Sequence, residues 1–194
     1  MNKEKRLLKR IINGDKNGFT ILVENYKRLV THIVYTHVRD VDDRDDLCQE
    51  IFFKVYQNLP GFQFKSKLST WIGKIAYNAC INYYAGKRVK FEELSVIDQT
   101  DTIVDRSTEM HVHKGPDHSV QHLELSVIIE QKIRELPDKY QTVLVLYHMD
   151  ELSYKEISEI LDISLDNTKV VLHRARNMLK EKLLQEYKKE DIWN

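Results

Sequence analysis

Residues 61–90 contain six cationic side chains, Lys65, Lys67, Lys74, Lys87, Arg88 and Lys90, and no acidic one, interleaved with Phe62, Phe64, Trp71, Tyr77, Tyr83 and Tyr84. Cations attract phosphates whatever the base sequence, and aromatic faces give unstacked bases new stacking partners, so this combination suits single-stranded nucleic acid. A second concentration, Lys169, His173, Arg174, Arg176 and Lys180, recurs at helical spacing near the C-terminus. No comparable set points to catalysis: there is no P-loop, HExxH, nucleophile elbow or dense carboxylate-histidine cluster. The chain is therefore not expected to be an enzyme. His111, His113, His118 and His122 are close in sequence, but no cysteine joins them, and neither a metal site nor a cofactor is expected.

The whole chain has 194 residues and equal numbers of basic and acidic groups, 30 of each. Distribution matters more than the total. Residues 1–17 carry six basic and two acidic side chains, residues 61–90 six and none, and residues 167–194 seven and four. Residues 91–128, by contrast, carry two basic and eight acidic groups, and residues 129–166 four and nine. Positive blocks are thus candidates for facing DNA, while overall neutrality implies weak DNA binding by the isolated protein.

Cys48 and Cys80 are far apart and in no CxxC pattern, so both are expected to be buried thiols. The N-terminus has no apolar targeting core, and the longest apolar run, Val143 to Tyr147, is too short to span a bilayer. Membrane insertion is not expected, and a cytoplasmic location is.

Helices must position these groups, because three- and four-residue periodicity dominates and strand-type alternation is missing. Phe19, Leu22, Val23, Tyr26, Leu29, Val30, Ile33 and Val34 form one apolar stripe. Asp40 to Asp46 supply capping and first-turn acids for a second helix, with Leu47, Ile51, Val55 and Leu59 inward and Pro60-Gly61 as its stop. Leu68, Trp71, Ile72, Ile75, Ala76, Ala79 and Tyr83 mark a third. Periodicity then fades from about Gly86 to His122 and returns with Leu125, Ile128, Ile129, Ile133 and Leu136 before Pro137. The expected fold is all-α: two small helical domains, 1–88 and 125–187, joined by a flexible acidic linker, 89–124, with a short tail, 188–194.

Ser153-Tyr154-Lys155-Glu156 is a capping box. The helix that it starts, with Ile157, Ile160 and Leu161 inward, ends near Asp162. After the turn Asp162-Ile163-Ser164, a second helix puts Leu165, Thr168, Leu172, Ala175 and Leu179 on its core side. This spacing is that of a helix-turn-helix, whose second helix enters the major groove. The opposite side offers Asp166, Asn167, Val170, His173, Arg174 and Asn177 to base edges, with Lys169, Arg176 and Lys180 flanking for phosphates. An ordinary helical hairpin with a solvated face has the same pattern.

Leu136-Pro137, Leu152 to Ile157, Ile163-Ser164, Lys169 and Leu172 to Arg176 together resemble region 4 of the extracytoplasmic-function (ECF) family of bacterial RNA polymerase sigma factors. Asp42-Asp43-Arg44-Asp45-Asp46-Leu47-Cys48-Gln49-Glu50-Ile51-Phe52 resembles region 2 of the same family, as do Ser69-Thr70-Trp71-Ile72 and Ile75-Ala76-Tyr77-Asn78. The blocks occur in the family's order around a linker.

The resemblance implies a dissociable promoter-specificity subunit that binds core RNA polymerase, directs it to promoter DNA and helps melt the duplex. Asp46, Gln49, Glu50 and Phe53 would dock on the polymerase clamp helices; for Asp42 and Asp43 an N-cap role is an equal alternative. The loop from Phe62 to Leu68 would receive a base flipped from the minus-ten element, with Phe62, Phe64, Lys65, Lys67, Lys74 and Asn78 as contacts. Phe62 or Phe64 could instead be core, and Trp71 is expected there. Asn167, Lys169, Val170, His173, Arg174 and Arg176 would contact the minus-thirty-five element. The acidic linker would thread toward the polymerase cleft, or serve as a solvated tether. An anti-sigma factor is an expected partner. The other reading is a helix-turn-helix transcriptional regulator with an N-terminal helical sensor or partner domain.

Three departures bear on DNA contacts. Asp166-Asn167-Thr168 stand where the family often has Gly-Thr-Val, Val171 where it often has Arg, and Tyr77 replaces another frequent Arg. An added acid and lost cations predict weak or unusual minus-thirty-five recognition.

Overall fold

The structure is a computed structural model that describes the backbone of residues 3–94 and 120–189, and side chains of residues 3–86 and 127–185. The acidic stretch between them, with the four linker histidines, lies outside the described side chains. Eight α-helices and no strand occur among the described residues: α1 (Lys3–Ile12), α2 (Lys16–His37), α3 (Val41–Asn58), α4 (Leu68–Leu94), α5 (Val120–Arg134), α6 (Asp138–His148), α7 (Tyr154–Leu161) and α8 (Leu165–Lys189). None of these is long and apolar enough to cross a membrane.

Helix α1 was not anticipated from periodicity. Leu8 and Ile11 are its buried residues, and Glu4 in the first turn with Lys9 and Arg10 in the last complement the helix dipole. The helix stops at Gly14, whose φ of 90° suits a residue without Cβ. Asp15 then caps α2 by accepting from the Gly18 amide at 3.0 Å and pairs with Arg10 at 2.7 Å. Tyr26 of α2 donates to Glu4 at 2.9 Å, which ties α1 across the same helix.

Asp40 caps α3, and Leu47, Ile51 and Val55 point inward from it. A 3-10 turn over Leu59–Gly61 leads into the loop before α4. Helix α4 buries Leu68, Ile72, Ala76, Ala79 and Cys80 and continues through Gly86 to Leu94, past the expected start of the linker at residue 89. Cys80 is buried and Cys48 half-buried; burial pushes the two thiols up, to about 12 and about 11, so both are inert at neutral pH.

The second group of helices has α6 at its centre, with Val143, Leu144, Val145 and Leu146 buried. Both halves of the Ser153 capping box are present: the hydroxyl receives the Glu156 amide at 3.3 Å, and Glu156 receives the Ser153 amide at 3.0 Å. Asp162 ends α7 in the left-handed conformation, φ 56°, which Asp tolerates better than most residues. Thr168, Val171, Leu172 and Ala175 form the buried side of α8, whereas Leu165 is exposed.

The two groups of helices pack on each other, α4 against α7 and α2 against α6. Gly73 of α4 makes this approach possible: a Cβ there would lie 2.8 Å from Cδ1 of Ile160 in α7. At the α2–α6 contact, the Thr142 hydroxyl lies 2.8 Å from the Asp138 carbonyl and 3.0 Å from Nε2 of His37. A carbonyl only accepts, so the hydroxyl donates to it and Nε2–H of His37 donates to the hydroxyl. Burial lowers the His37 pKa against the opposing field of Asp138, consistent with that neutral ring. His32 Nδ1 meets the Asp150 carboxylate at 2.9 Å, with Arg28 at 3.6 Å from the same group.

Candidate nucleic-acid interface

Helix α8 carries the first candidate surface. Asn167, Lys169, Val170, His173, Arg174 and Arg176 are all exposed, together with Asp166, Asn177 and Lys180. Ser164 starts the helix by accepting the Asn167 amide at 3.2 Å. Asp166 pairs with Lys169 at 3.0 Å, so the unexpected acid offsets one flanking cation. Arg176, though exposed, is engaged within the domain: its guanidinium lies 4.8 Å from the Tyr147 ring centre, and its Nε is 3.3 Å from His148 Nε2. Burial and then the Arg176 charge lower the His148 pKa, keeping that ring a neutral acceptor. Arg174 and Lys180 are exposed cations of this helix that take no ion-pair or hydrogen-bond partner among the described residues. Val171, at 4% exposure, is a core residue and not a missing cation on the DNA side.

Helix α3 carries the second. Asp46, Gln49, Glu50 and Phe53 follow the i, i+3, i+4, i+7 spacing of a single helix face and are all exposed. Phe53 is 59% exposed, and Tyr56, one turn on, extends this apolar strip. Glu50 pairs with Lys54 of its own helix at 2.6 Å. Asp43 does not belong to this face; it accepts the Tyr83 hydroxyl of α4, a structural tie.

The loop before α4 and the exposed side of that helix form the third. Phe64, Lys65, Lys67, Lys74 and Asn78 are exposed, while Phe62, at 9%, is buried between Phe64 (ring centres 4.7 Å apart) and Trp71 (5.1 Å). Phe62 thus supports the loop instead of offering a free face. Phe64 adopts φ 57°, a left-handed conformation that costs a non-glycine residue about 1–2 kcal/mol. The residue is 42% exposed. A cavity of about 560 Å³ opens beside it, walled by Leu59, Phe62 and Phe64 on one side and by Lys5, Leu8, Lys9 and Ile12 of α1 on the other.

Lys67 and Lys74 are not free. Lys67 pairs with Glu156 Oε1 at 3.0 Å and Lys74 with Asp162 Oδ1 at 3.2 Å, both carboxylates of the helix-turn-helix. Partial burial raises the Glu156 pKa, but hydrogen bonds from Ser153 and Lys67 outweigh it and hold the carboxyl below its ordinary value. Ser66, Thr70 and Trp71 face Ser158, Glu159 and Ile163 across a cleft of about 420 Å³ there, and the Thr70 hydroxyl is buried without a hydrogen-bond partner. Sequence reasoning missed this contact, Gly73 and the α1 wall. The α1 wall alone had a local signal, the Leu7-Leu8 and Ile11-Ile12 pairs four residues apart.

A helix-turn-helix with an exposed polar face, joined to a helical domain with a basic aromatic loop and an acidic-apolar strip, is the make-up of a DNA-binding protein. The family model described as Sigma-70 region 2 matches residues 22–89, and that described as Sigma-70, region 4 matches residues 126–179. The chain is 35% identical over 179 residues to the ECF RNA polymerase sigma factor SigW of Bacillus subtilis, covering 92% of this chain and 96% of that protein. It is 30% identical over 182 residues to the ECF RNA polymerase sigma-E factor of Haemophilus influenzae, covering 93% and 95%. Among solved structures, CnrH in complex with the cytosolic domain of CnrY aligns with a TM-score of 0.63 at 18% identity over 94% of this chain and 97% of that one. The sigma factor RpoE in complex with the anti-sigma factor NepR from Bartonella quintana aligns at 0.64 and 19%, over 85% and 96%.

The chain belongs to the ECF RNA polymerase sigma factors. It is a transcription initiation factor that directs RNA polymerase to promoters, and the region 2 match over the first domain sets aside a sensor-domain regulator.

Proposed function

We propose that the three surfaces divide the work of initiation without chemistry by this chain itself. The α3 face of Asp46, Gln49, Glu50 and Phe53 docks on core polymerase, where its acids meet a basic target and Phe53 with Tyr56 supplies an apolar anchor. Phe64, Lys65, Lys67, Lys74 and Asn78 hold the melted minus-ten strand, with Phe62 as the buried support. Capturing an extruded base offsets an unstacking cost of a few kcal/mol, so stable melting requires only binding. Asn167, Lys169, Val170, His173 and Arg174 face the minus-thirty-five duplex, and Arg176 acts by buttressing α8 on Tyr147. The acidic linker between these two units passes toward the polymerase cleft. The site of action is the cytoplasm, where polymerase works.

The observation that carries this reading is the exposure of all four docking residues along one face of α3, beside a basic aromatic loop that has no acid. Because Lys67 and Lys74 are paired with Glu156 and Asp162, the two domains separate before both DNA surfaces are used together. An anti-sigma factor is the expected regulatory partner; two structurally similar proteins are complexes, one of them named with an anti-sigma factor.

The test is run-off transcription over a genomic promoter library with bacterial core polymerase, with and without the protein. Promoter-dependent transcripts that require the chain are expected. Absence of both core binding and promoter-dependent initiation would refute the proposal.

A further inference from the structure

We infer that α1 is part of the single-strand DNA site: it forms the second wall of a pocket for one unstacked nucleotide, with Lys5 and Lys9 holding the adjoining phosphates. This rests on the reading of the loop before α4 as the minus-ten surface and adds to it a helix that lies outside the matched region 2 span, which begins at residue 22.

The cavity between α1 and the loop has a volume of about 560 Å³, within the range of sites that bury a small ligand. Its lining has two chemical halves. Leu8, Ile12, Leu59, Phe62 and Phe64 are apolar or aromatic, which suits the faces of a base; Lys5 and Lys9 are cationic, and no lining residue is acidic. Both lysines are exposed, and neither forms an ion pair among the described residues. The nearby acids are turned elsewhere: Glu4 accepts from Tyr26, and Asp15 pairs with Arg10.

Lys5 Nζ lies 4.8 Å from the Phe64 ring centre. That cation–π contact marks an aromatic face open to a ligand, and a base stacking there displaces a flexible ammonium that can move to the neighbouring phosphate. Phe64 keeps its left-handed backbone, φ 57°, with its ring over the cavity, so the stacking partner is in place before DNA arrives. Region 4 leaves this pocket uncovered, since its pairs fall on Lys67 and Lys74. The positive block at residues 1–17 thereby acquires a ligand: phosphate beside an extruded base. An acidic peptide with an aromatic residue would share part of this chemistry, and the test separates the two.

The experiment uses full-length protein assembled with core polymerase, on a promoter that the wild-type holoenzyme melts. Lys5→Glu/Lys9→Glu is expected to weaken open-complex formation at least about 10-fold, to leave core affinity unchanged, and to reduce the salt slope by about 1.4 for two lost single-strand phosphate contacts. Lys5→Arg/Lys9→Arg should restore most of the binding. A benzophenone amino acid at the exposed position 12 should crosslink the non-template strand in open complexes only. Unchanged open-complex affinity and salt slope, or crosslinks only to polypeptide, would overturn the inference. If the wild-type holoenzyme melts no promoter, the minus-ten reading itself fails; if it melts DNA and the charge reversal has no effect, only the role of α1 fails.

Discussion

Gly73→Ala isolates the contact between the two domains. The new Cβ would sit 2.8 Å from Cδ1 and 3.1 Å from Cγ1 of Ile160, against an ordinary carbon separation of about 3.5–4.0 Å. Overpacking of this size costs about 1–3 kcal/mol, here at the lower end because the obstructing atom is the tip of a side chain that can turn. Inside α4 the same change favours the helix by about 0.5–1 kcal/mol, because alanine loses less backbone freedom than glycine. The two effects act on different equilibria: the first domain gains stability while its contact with α7 weakens by about 1 kcal/mol, shifting the balance toward separated domains by about 5-fold. The ion pairs are poor competitors, because Lys67 and Asp162 have side-chain exposures of 74% and 84%, where such pairs contribute about 0–1 kcal/mol. Fluorescent labels on α3 and α8 report the distance between domains. The expected result is a longer mean distance, tighter binding of a single-stranded oligonucleotide through released Lys67 and Lys74, and reversal of the coupling in an Ile160→Ala background. An unchanged distance, or additive effects of the two substitutions, would refute this account of the contact.

Glu50→Lys, on the exposed α3 face, should lower core polymerase affinity at least about 10-fold without changing the melting temperature, as a like charge facing a basic target does; equal loss of folding would count against a docking role. Arg174→Ala should weaken binding to the upstream element by about 1–3 kcal/mol in holoenzyme footprinting, and unaltered protection there would remove Arg174 from the base-reading set. Acid should destabilise the fold in two steps. His37 has its folded pKa lowered from 6.5, so its stabilisation is complete above 6.5 and is lost as pH falls from there through the lower folded value; Glu156, lowered from 4.5, behaves alike in the window below 4.5. Thermal unfolding from pH 8 down to about pH 2 should show both, and a His37→Gln variant that kept the upper step would disprove its assignment.

Much of the molecule was legible because its signals are local. The Ser153 capping box, the Asp40 cap and the Leu47, Ile51, Val55 stripe act within one or two helical turns, and each forms where the spacing predicts. The exposed face of α8 followed from the same periodicity, although Leu165 at the helix start is 42% exposed, while Thr168 and Val171 pack inward. Phe62 could not be assigned in advance, because an aromatic residue in a loop serves a core and a stacking surface equally well until Trp71 and Phe64 are seen around it.

The sequence by itself determined the all-α class, the helix-turn-helix, the segregation of charge and the family. Tertiary structure decided where α1 packs, that Gly73 admits Ile160, and that the lysines beside the basic loop face the carboxylates of α7. Caps and stripes join residues a few positions apart, whereas Lys74 and Asp162 are 88 positions apart and His32 and Asp150 118. No local pattern specifies pairs at that separation; they come together only because two apolar faces, each complete as a helix surface, bury more area against each other than either does alone.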